Sequence, residues 1–292
     1  MSAPLDVVLD TDAYNEIDDQ FAIAHLLLSP DQVNLQAIHA AGFHNARSTS
    51  FGDGMERSYE EIHRLLERVP GSTAPPVHRG ARSHLADGAG ESNPAADDLI
   101  DRARAARGDR PLTVVAIGAP TNVAVALRRA PDIAETIRLV WLGGHGLHWP
   151  DTAEFNLKQD VPASRAVLDG VHHLTLVPCL GVAQILLTTA AELAASLVET
   201  PLNEFLVNRF AASIPRDAGG QPRLGYARPL WDVAATALVL CPDALRTTVR
   251  KLPRLTDDLT WDHAQLARGA AVVEAVDRNA VMADLFQTLN SG

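Results

Sequence analysis

Val7-Val8-Leu9-Asp10-Thr11-Asp12, followed after five residues by Asp18-Asp19-Gln20-Phe21-Ala22-Ile23, is the stretch that decides the fold. Leu5 to Leu9 is short, apolar and rich in β-branched side chains, so it reads as a buried strand that runs into carboxylates. Asp18 to Leu28 places Phe21, Ala22, Ala24, Leu27 and Leu28 at helical spacing, which predicts a helix. The alternation continues along the chain. Val33–Ala41, Leu112–Ile117, Ile137–Leu142 and Leu174–Val177 read as strands. Met55–Val69, Pro94–Ala106 (with Asn93 as N-cap), Pro120–Arg129 and Pro162–Leu168 read as helices. The remainder reads as mainly helical, with a late strand or hairpin within Val249–Val276 and a last helix over Ala280–Leu289. Short apolar strands alternating with helices predict an α/β fold with a mainly parallel central sheet flanked by helices. Arg82–Asn93 and Arg216–Arg228 read as glycine-rich loops rather than linkers, since the helices on either side need one sheet to bury against. Residues 1–292 are therefore expected to form a single domain. In such a sheet ligands bind beyond the carboxyl ends of the strands.

Composition narrows the function. The chain has 292 residues, 47% hydrophobic and 21% charged, which is globular rather than disordered. With 36 acidic and 25 basic residues the net charge is -11, so there is no electrostatic footprint for nucleic acid. Cys179 and Cys241 are too few for a disulfide framework or a thiolate zinc site and read as buried thiols. The N-terminus lacks a basic segment followed by an apolar core, so no signal peptide is expected. The most apolar stretch, Leu174–Val198, is broken by Pro178, Gly181, Gln184 and Glu192, so no membrane span is expected either. The expectation is a soluble cytoplasmic protein.

The carboxylates are concentrated. Asp10, Asp12, Asp18 and Asp19 fall within ten residues, two at a strand end and two at a helix start. A helix N-terminus favours one acidic cap. Four like charges in one place are unfavourable unless a cation sits among them. All-oxygen ligands suit calcium or magnesium rather than zinc. The run is not an EF-hand loop, because Tyr14, Glu16 and Phe21 stand at the fifth position, the turn glycine and the terminal glutamate.

This signature resembles that of the inosine–uridine nucleoside hydrolase family, with a longer loop, Ala13 to Ile17, between the acidic pairs. Three further pieces match in order: Ile117-Gly118-Ala119-Pro120-Thr121-Asn122-Val123-Ala124; Leu142-Gly143-Gly144 with Ala153-Glu154-Phe155-Asn156 and Asp160; and Trp231-Asp232-Val233-Ala234. The resemblance implies the nucleoside-hydrolase fold, assembly as a homodimer or homotetramer, and hydrolysis of a ribonucleoside to ribose and free base. It implies a calcium ion held by Asp12, Asp19, Asp232 and the carbonyl of Ile117, with Asp12 as general base. Asp18, Glu154 and Asn156 would grip ribose hydroxyls, beside Phe155, and Asp10 would orient the loop.

The chain departs from the family in places. Trp231 stands where a histidine often protonates the leaving base; it can stack on a flat ring. The asparagine expected after the second strand falls near Phe43, and the nearest amide is Asn45. The loop His145–Asp151 is rebuilt, and a glycine-rich flap is replaced by Arg82–Asn93. His39, His44, His145, His148 and Trp149 are expected near the strand ends, and His148 is the first choice for the missing acid, since it aligns closest to the sugar-contacting segment. These loops favour a modified nucleoside over inosine or uridine. Two other readings stay open: a nucleoside- or ribose-binding relative that keeps calcium without catalysis, and a haloacid-dehalogenase-type phosphatase with Asp10 as nucleophile.

Overall fold

The computed structural model describes residues 3–69, 74–87, 92–106, 108 and 110–292. The chain runs β1 (Leu5–Thr11), α1 (Asp18–Leu27), β2 (Val33–Ala40), α2 (Phe51–Leu66), β3 (Val77–Arg79), α3 (Pro94–Ala105), β4 (Leu112–Ala116), α4 (Thr121–Arg129) and β5 (Ile137–Leu142). It continues through α5 (Phe155–Gln159), α6 (Val161–Gly170), β6 (His173–Val177), β7 (Leu187–Thr188), α7 (Ala190–Ser196), α8 (Pro201–Ser213) and β8 (Arg228–Pro229). It ends with α9 (Val233–Leu240), the hairpin β9 (Leu245–Leu255) and β10 (Trp261–Val276), and α10 (Arg278–Leu289).

β1 occupies the middle of the sheet because both its faces are apolar. Val7 and Leu9 pack into one core, under α1, α2, α9 and α10, while Val8 packs into the other, under α3, α4 and α6. The eight strands lie in the order β3-β2-β1-β4-β5-β6-β10-β9. All neighbours are parallel except β10 and β9, so β9 forms an antiparallel edge. The mainly parallel sheet read from the sequence is the observed one. Among the described residues no helix is long and apolar enough to cross a membrane.

Boundaries differ where caps decide them. α2 begins at Phe51, four residues before Met55, because the Ser50 side chain accepts from the Asp53 N–H. Asn93 caps α3 as expected, accepting from Ala96 N–H. At α4 the cap position is Pro120, and Asn122 turns its side chain to other use. Of the loop Arg82–Asn93, residues 88–91 lie outside the described ones, as do Met1 and Ser2 at the N-terminus.

Asp160 ties three segments together. It is 1% exposed and accepts from Leu85 N–H at 2.7 Å, Thr121 Oγ1 at 2.8 Å and, as cap of α6, Ala163 N–H at 3.2 Å. Asp160→Ala strands three donors and is expected to cost about 2–4 kcal/mol in urea unfolding. Asp160→Asn, which keeps an acceptor oxygen, should recover a good part of that loss. An alanine variant within about 0.5 kcal/mol of the parent would show that these bonds do not hold the loop.

Candidate active site and metal centre

The strand order reverses at β1 and β4: β2 follows β1 on one side, and β4 returns on the other. An open parallel sheet leaves a crevice beyond its strand ends at such a point. A cavity of about 290 Å³ lies there. The loop after β1 lines it with Asp12, Asn15 and Glu16, and the first turn of α1 with Asp18 and Asp19. The end of β4 supplies Ile117, and the end of β5 and the approach to α5 supply Leu142, His145, Glu154, Phe155 and Asn156. Cys179 and Leu180 come from beyond β6, and Trp231 and Asp232 from the start of α9.

Asp18, Asp19 and Asp232 each offer a carboxylate oxygen, and these atoms lie within 4.8 Å of one another. Two helix N-termini bring them together. Asp232 sits at the cap position of α9, and its N–H donates to Asp18 Oδ2 at 3.2 Å. Thr11 Oγ1 donates to Asp19 Oδ1 at 2.5 Å. This triad differs from the expected set of Asp12, Asp19 and Asp232. The Asp232 N–H draws Asp18 into the triad, while Asp12 lines the same cavity outside it. Gly118 leaves room for Asp12: a Cβ there would stand 3.2 Å from Asp12 Cγ.

Burial pushes the carboxyl pKa up at all of these positions. Asp12 is raised further by Asp19 and Asp18, Asp232 by Asp18 and Asp19, and Asp19 by Asp18. Burial also raises Asp18, to about 6, with the charge of Glu16 adding to the rise and that of Arg228 opposing it. Asp12 Oδ2 and Asp18 Oδ1 are buried without a hydrogen-bond partner among the described residues. Orphaned buried carboxylate oxygens on residues lining one cavity fit a hard, oxygen-liganded cation. Asp10 is different. It does not line the cavity; Asn122 Nδ2 donates to its Oδ2 at 2.8 Å, and burial pushes its pKa to about 7. Because Asp10 does not line the cavity, it is not placed to act as a phosphatase nucleophile there.

Glu154 caps α5, and its carboxylate accepts from Gly144, Asn156 and Leu157 N–H at 3.0, 2.9 and 2.9 Å. Only one of those bonds, from Asn156, falls on Oε1, which keeps a lone pair for a hydroxyl. Burial raises its pKa. The Asn156 amide donates to the carbonyls of Ile117 and Leu142, both at 3.1 Å, and presents its Oδ1 as acceptor. The Ile117 carbonyl, expected as a metal ligand, is thus also a hydrogen-bond acceptor for Asn156.

Two expected residues lie elsewhere. Asn45 does not line the cavity, because its Oδ1 accepts from Arg47 N–H in a local turn while its Nδ2 donates to Asn15 Oδ1 at 2.7 Å. Asn15 lines the cavity instead; it is the one amide in the long Ala13–Ile17 loop, and that extra length was the available signal. His148 is exposed and lines a neighbouring cavity with Arg246, Lys251 and His263. The cause is backbone. Gly144 adopts φ +69° and Gly146 N–H donates to Leu180 O at 2.8 Å, so the loop folds back with His145 inside. His148 is left outside, packed over Gly146 and Gly181. His39 is buried against Asp98, away from the cavity.

The family description "Inosine-uridine preferring nucleoside hydrolase" matches residues 7–285. The non-specific ribonucleoside hydrolase RihC of Salmonella paratyphi B is 32% identical over 191 residues, covering 57% of this chain and 58% of that protein. The chain therefore spans little more than half the length of this curated relative. Among solved structures, an inosine-guanosine nucleoside hydrolase superposes with a TM-score of 0.74 at 20% identity, over 97% of this chain and 98% of the other. A purine-preferring ribonucleoside hydrolase from Gardnerella vaginalis superposes with a TM-score of 0.69 at 20% identity, over 98% of each chain. The structural matches establish a shared fold.

The raised carboxyl pKa values set a pH dependence. Without a cation the folded chain holds more protons than the unfolded one between the ordinary value of 3.8 and about 8, as for Asp19. Stability is then fully present at acid pH and is lost as pH rises through that window. In chelator, the Tm is expected to fall by several degrees from pH 5 to pH 8. Calcium or magnesium at about 100 times its Kd should restore about 2.7 kcal/mol, or roughly 5–10 °C, at the upper pH. A Tm indifferent to both cations at pH 8 would remove the carboxylates as a metal centre.

Proposed function

Because the chain belongs to the inosine–uridine preferring nucleoside hydrolase family, we propose that it hydrolyses the N-glycosidic bond of a ribonucleoside, giving ribose and free base, with calcium as cofactor. One observation carries the reading: a single cavity gathers Asp12, Asp18, Asp19 and Asp232 with the sugar-sized acceptors of Glu154 and Asn156 and the flat rings of Phe155 and Trp231.

Asp18, Asp19 and Asp232 would hold the cation, with Asp12 and the Ile117 carbonyl beside them. When bound it supplies the positive charge that keeps the carboxylates ionised and makes a neighbouring water easier to deprotonate. Asp12, through its unpartnered Oδ2, takes the proton of the attacking water as general base. Glu154 Oε1 and Asn156 Oδ1 accept from ribose hydroxyls and fix the sugar as positive charge develops at C1′. Trp231 and Phe155 offer apolar faces to the base. Asp10 acts at one remove, through Asn122, by holding the strand end on which Asp12 sits. The cavity wall rebuilt by His145, Leu180 and Trp231 favours a modified ribonucleoside over inosine or uridine. A cytoplasmic homodimer or homotetramer completes the proposal.

The test is a panel of ribonucleosides, common and modified, assayed for free ribose with and without chelator. Ribose release should vanish in chelator and return with calcium. Asp12→Asn should lower kcat by about 10²–10⁴-fold on the best substrate. Full activity in that variant would overturn the general-base role. Saturable nucleoside binding with no ribose released would make the chain a binding relative instead.

A further inference from the structure

The break of a C1′–N bond leaves its electron pair on the base, and a buried cavity must supply a donor for that developing charge. The cavity has few donors: six of its lining residues are acidic, both hydrogens of the Asn156 amide are committed to carbonyls, and apart from His145 the other side-chain N–H groups are those of Asn15 and Trp231.

His145 is built differently. Its N–H donates to Thr152 Oγ1 at 3.0 Å and its carbonyl accepts from Trp261 Nε1 at 3.3 Å. Its Nδ1 accepts from Leu180 N–H at 3.3 Å. A ring nitrogen that accepts from a backbone N–H carries no proton, so the neutral imidazole has its hydrogen on Nε2. Nε2 has no hydrogen-bond partner among the described residues; the nearest carboxylate oxygen, of Asp151, is 3.9 Å away. The ring is clamped, its tautomer is set, and its one uncommitted N–H belongs to a residue lining the cavity.

We propose that His145 acts as a neutral hydrogen-bond donor, through Nε2–H, to the leaving base of the ribonucleoside. The proposal rests on the functional reading above. In the step, water oxygen bonds to C1′ and its proton passes to Asp12. The C1′–N bond breaks with its pair going to the base. The Nε2–H bond stabilises that base until solvent protonates it, and Asp12 returns its proton to solvent. A fixed donor needs no reorganisation as charge develops on the base. Protonating the ring would set a second N–H against that of Leu180. Burial also lowers its pKa, with Asp151 and the Gly144 main chain opposing and Lys158 acting with burial. The Leu180 N–H and burial together favour the neutral imidazole.

The experiment compares the wild-type chain with His145→Leu and His145→Gln on the best ribonucleoside and on p-nitrophenyl riboside, whose leaving group needs no donor. His145→Leu should lose about 10²–10³-fold in kcat/KM on the nucleoside and less than about threefold on the nitrophenyl riboside. His145→Gln, which restores an N–H near Nε2, should recover at least about tenfold on the nucleoside. The wild-type to leucine ratio should stay flat from pH 6 to pH 8.5. Equal losses on both substrates, or no loss, overturn the proposal. A ratio falling about tenfold per pH unit would make His145 an imidazolium acid and overturn it too. If the nitrophenyl riboside is cleaved by all three proteins and the nucleosides differ as stated, the hydrolase reading and the donor role both stand. A wild-type chain that cleaves neither substrate overturns the reading beneath, and the proposal with it.

Discussion

Mutual repulsion among buried carboxylates is the constraint on which the rest of this structure turns. Asp10, Asp12, Asp18, Asp19 and Asp232 are each at most 5% exposed and belong to one end of one sheet. Two unit charges 4 Å apart repel by about 4 kcal/mol at an effective dielectric constant of 20. A helix N-terminus returns only about 0.3–1 kcal/mol for each acid placed on it. The N-termini of α1 and α9, the Thr11 hydroxyl and the Asn122 amide therefore soften the repulsion without removing it. What remains must be met by protons or by a cation, and at neutral pH a cation is the better answer.

Holding charges against their repulsion requires a stiff frame, and the frame can be traced residue by residue. α1 and α9 each bring acids to the cavity from their N-termini, and they are joined lower down. His25, fully buried near the end of α1, bonds Thr236 of α9 at 2.9 Å through Nδ1 and Asp284 of α10 at 2.9 Å through Nε2. Gln20 pins the intervening loop, donating to the Ala13 carbonyl at 2.7 Å and to buried Glu61 at 3.2 Å. On the opposite wall Asn156 spans the ends of β4 and β5, and Glu154 closes the turn after β5 by accepting from Gly144. The spacing between acids and acceptors is thus set partly by bonds made below the cavity, at His25, and partly by bonds in its own wall.

These relations divide what was legible in the sequence from what was not. β5 and the last turn of α4 fall at the expected residues, because apolar period and helix-ending signals are local. The acidic run at the end of β1 was legible for the same reason: consecutive residues on one strand end must share a place. Asn45 and His148 were placed by their distance along the chain from matching segments. That distance carries no information about which way a loop turns. Asn45 spends its side chain on a turn and on Asn15, and the residue it supports does the lining. The approach of Asp18 to Asp19 and Asp232 was equally invisible, since it involves an N–H from a residue 214 positions away.

The loop after β5 shows how a backbone constraint can choose the chemistry. At Gly144, φ +69° is open to glycine, and a Cβ there would lie 2.6 Å from Thr152 Oγ1. That turn, with the bond from Gly146 N–H to Leu180 O, folds the loop onto the segment beyond β6. The segment Pro178–Val182 then has two sides. Cys179 and Leu180 face the cavity with the carboxylates, while Pro178 and Val182 face the neighbouring one. His145 and His148 are only three residues apart, yet this wall separates them. One is held among acids with its tautomer set by Leu180, and the other stands in solvent among arginine and lysine side chains. Both are histidines in a rebuilt loop, and the two glycines between and before them decide which one lines the cavity with the carboxylates.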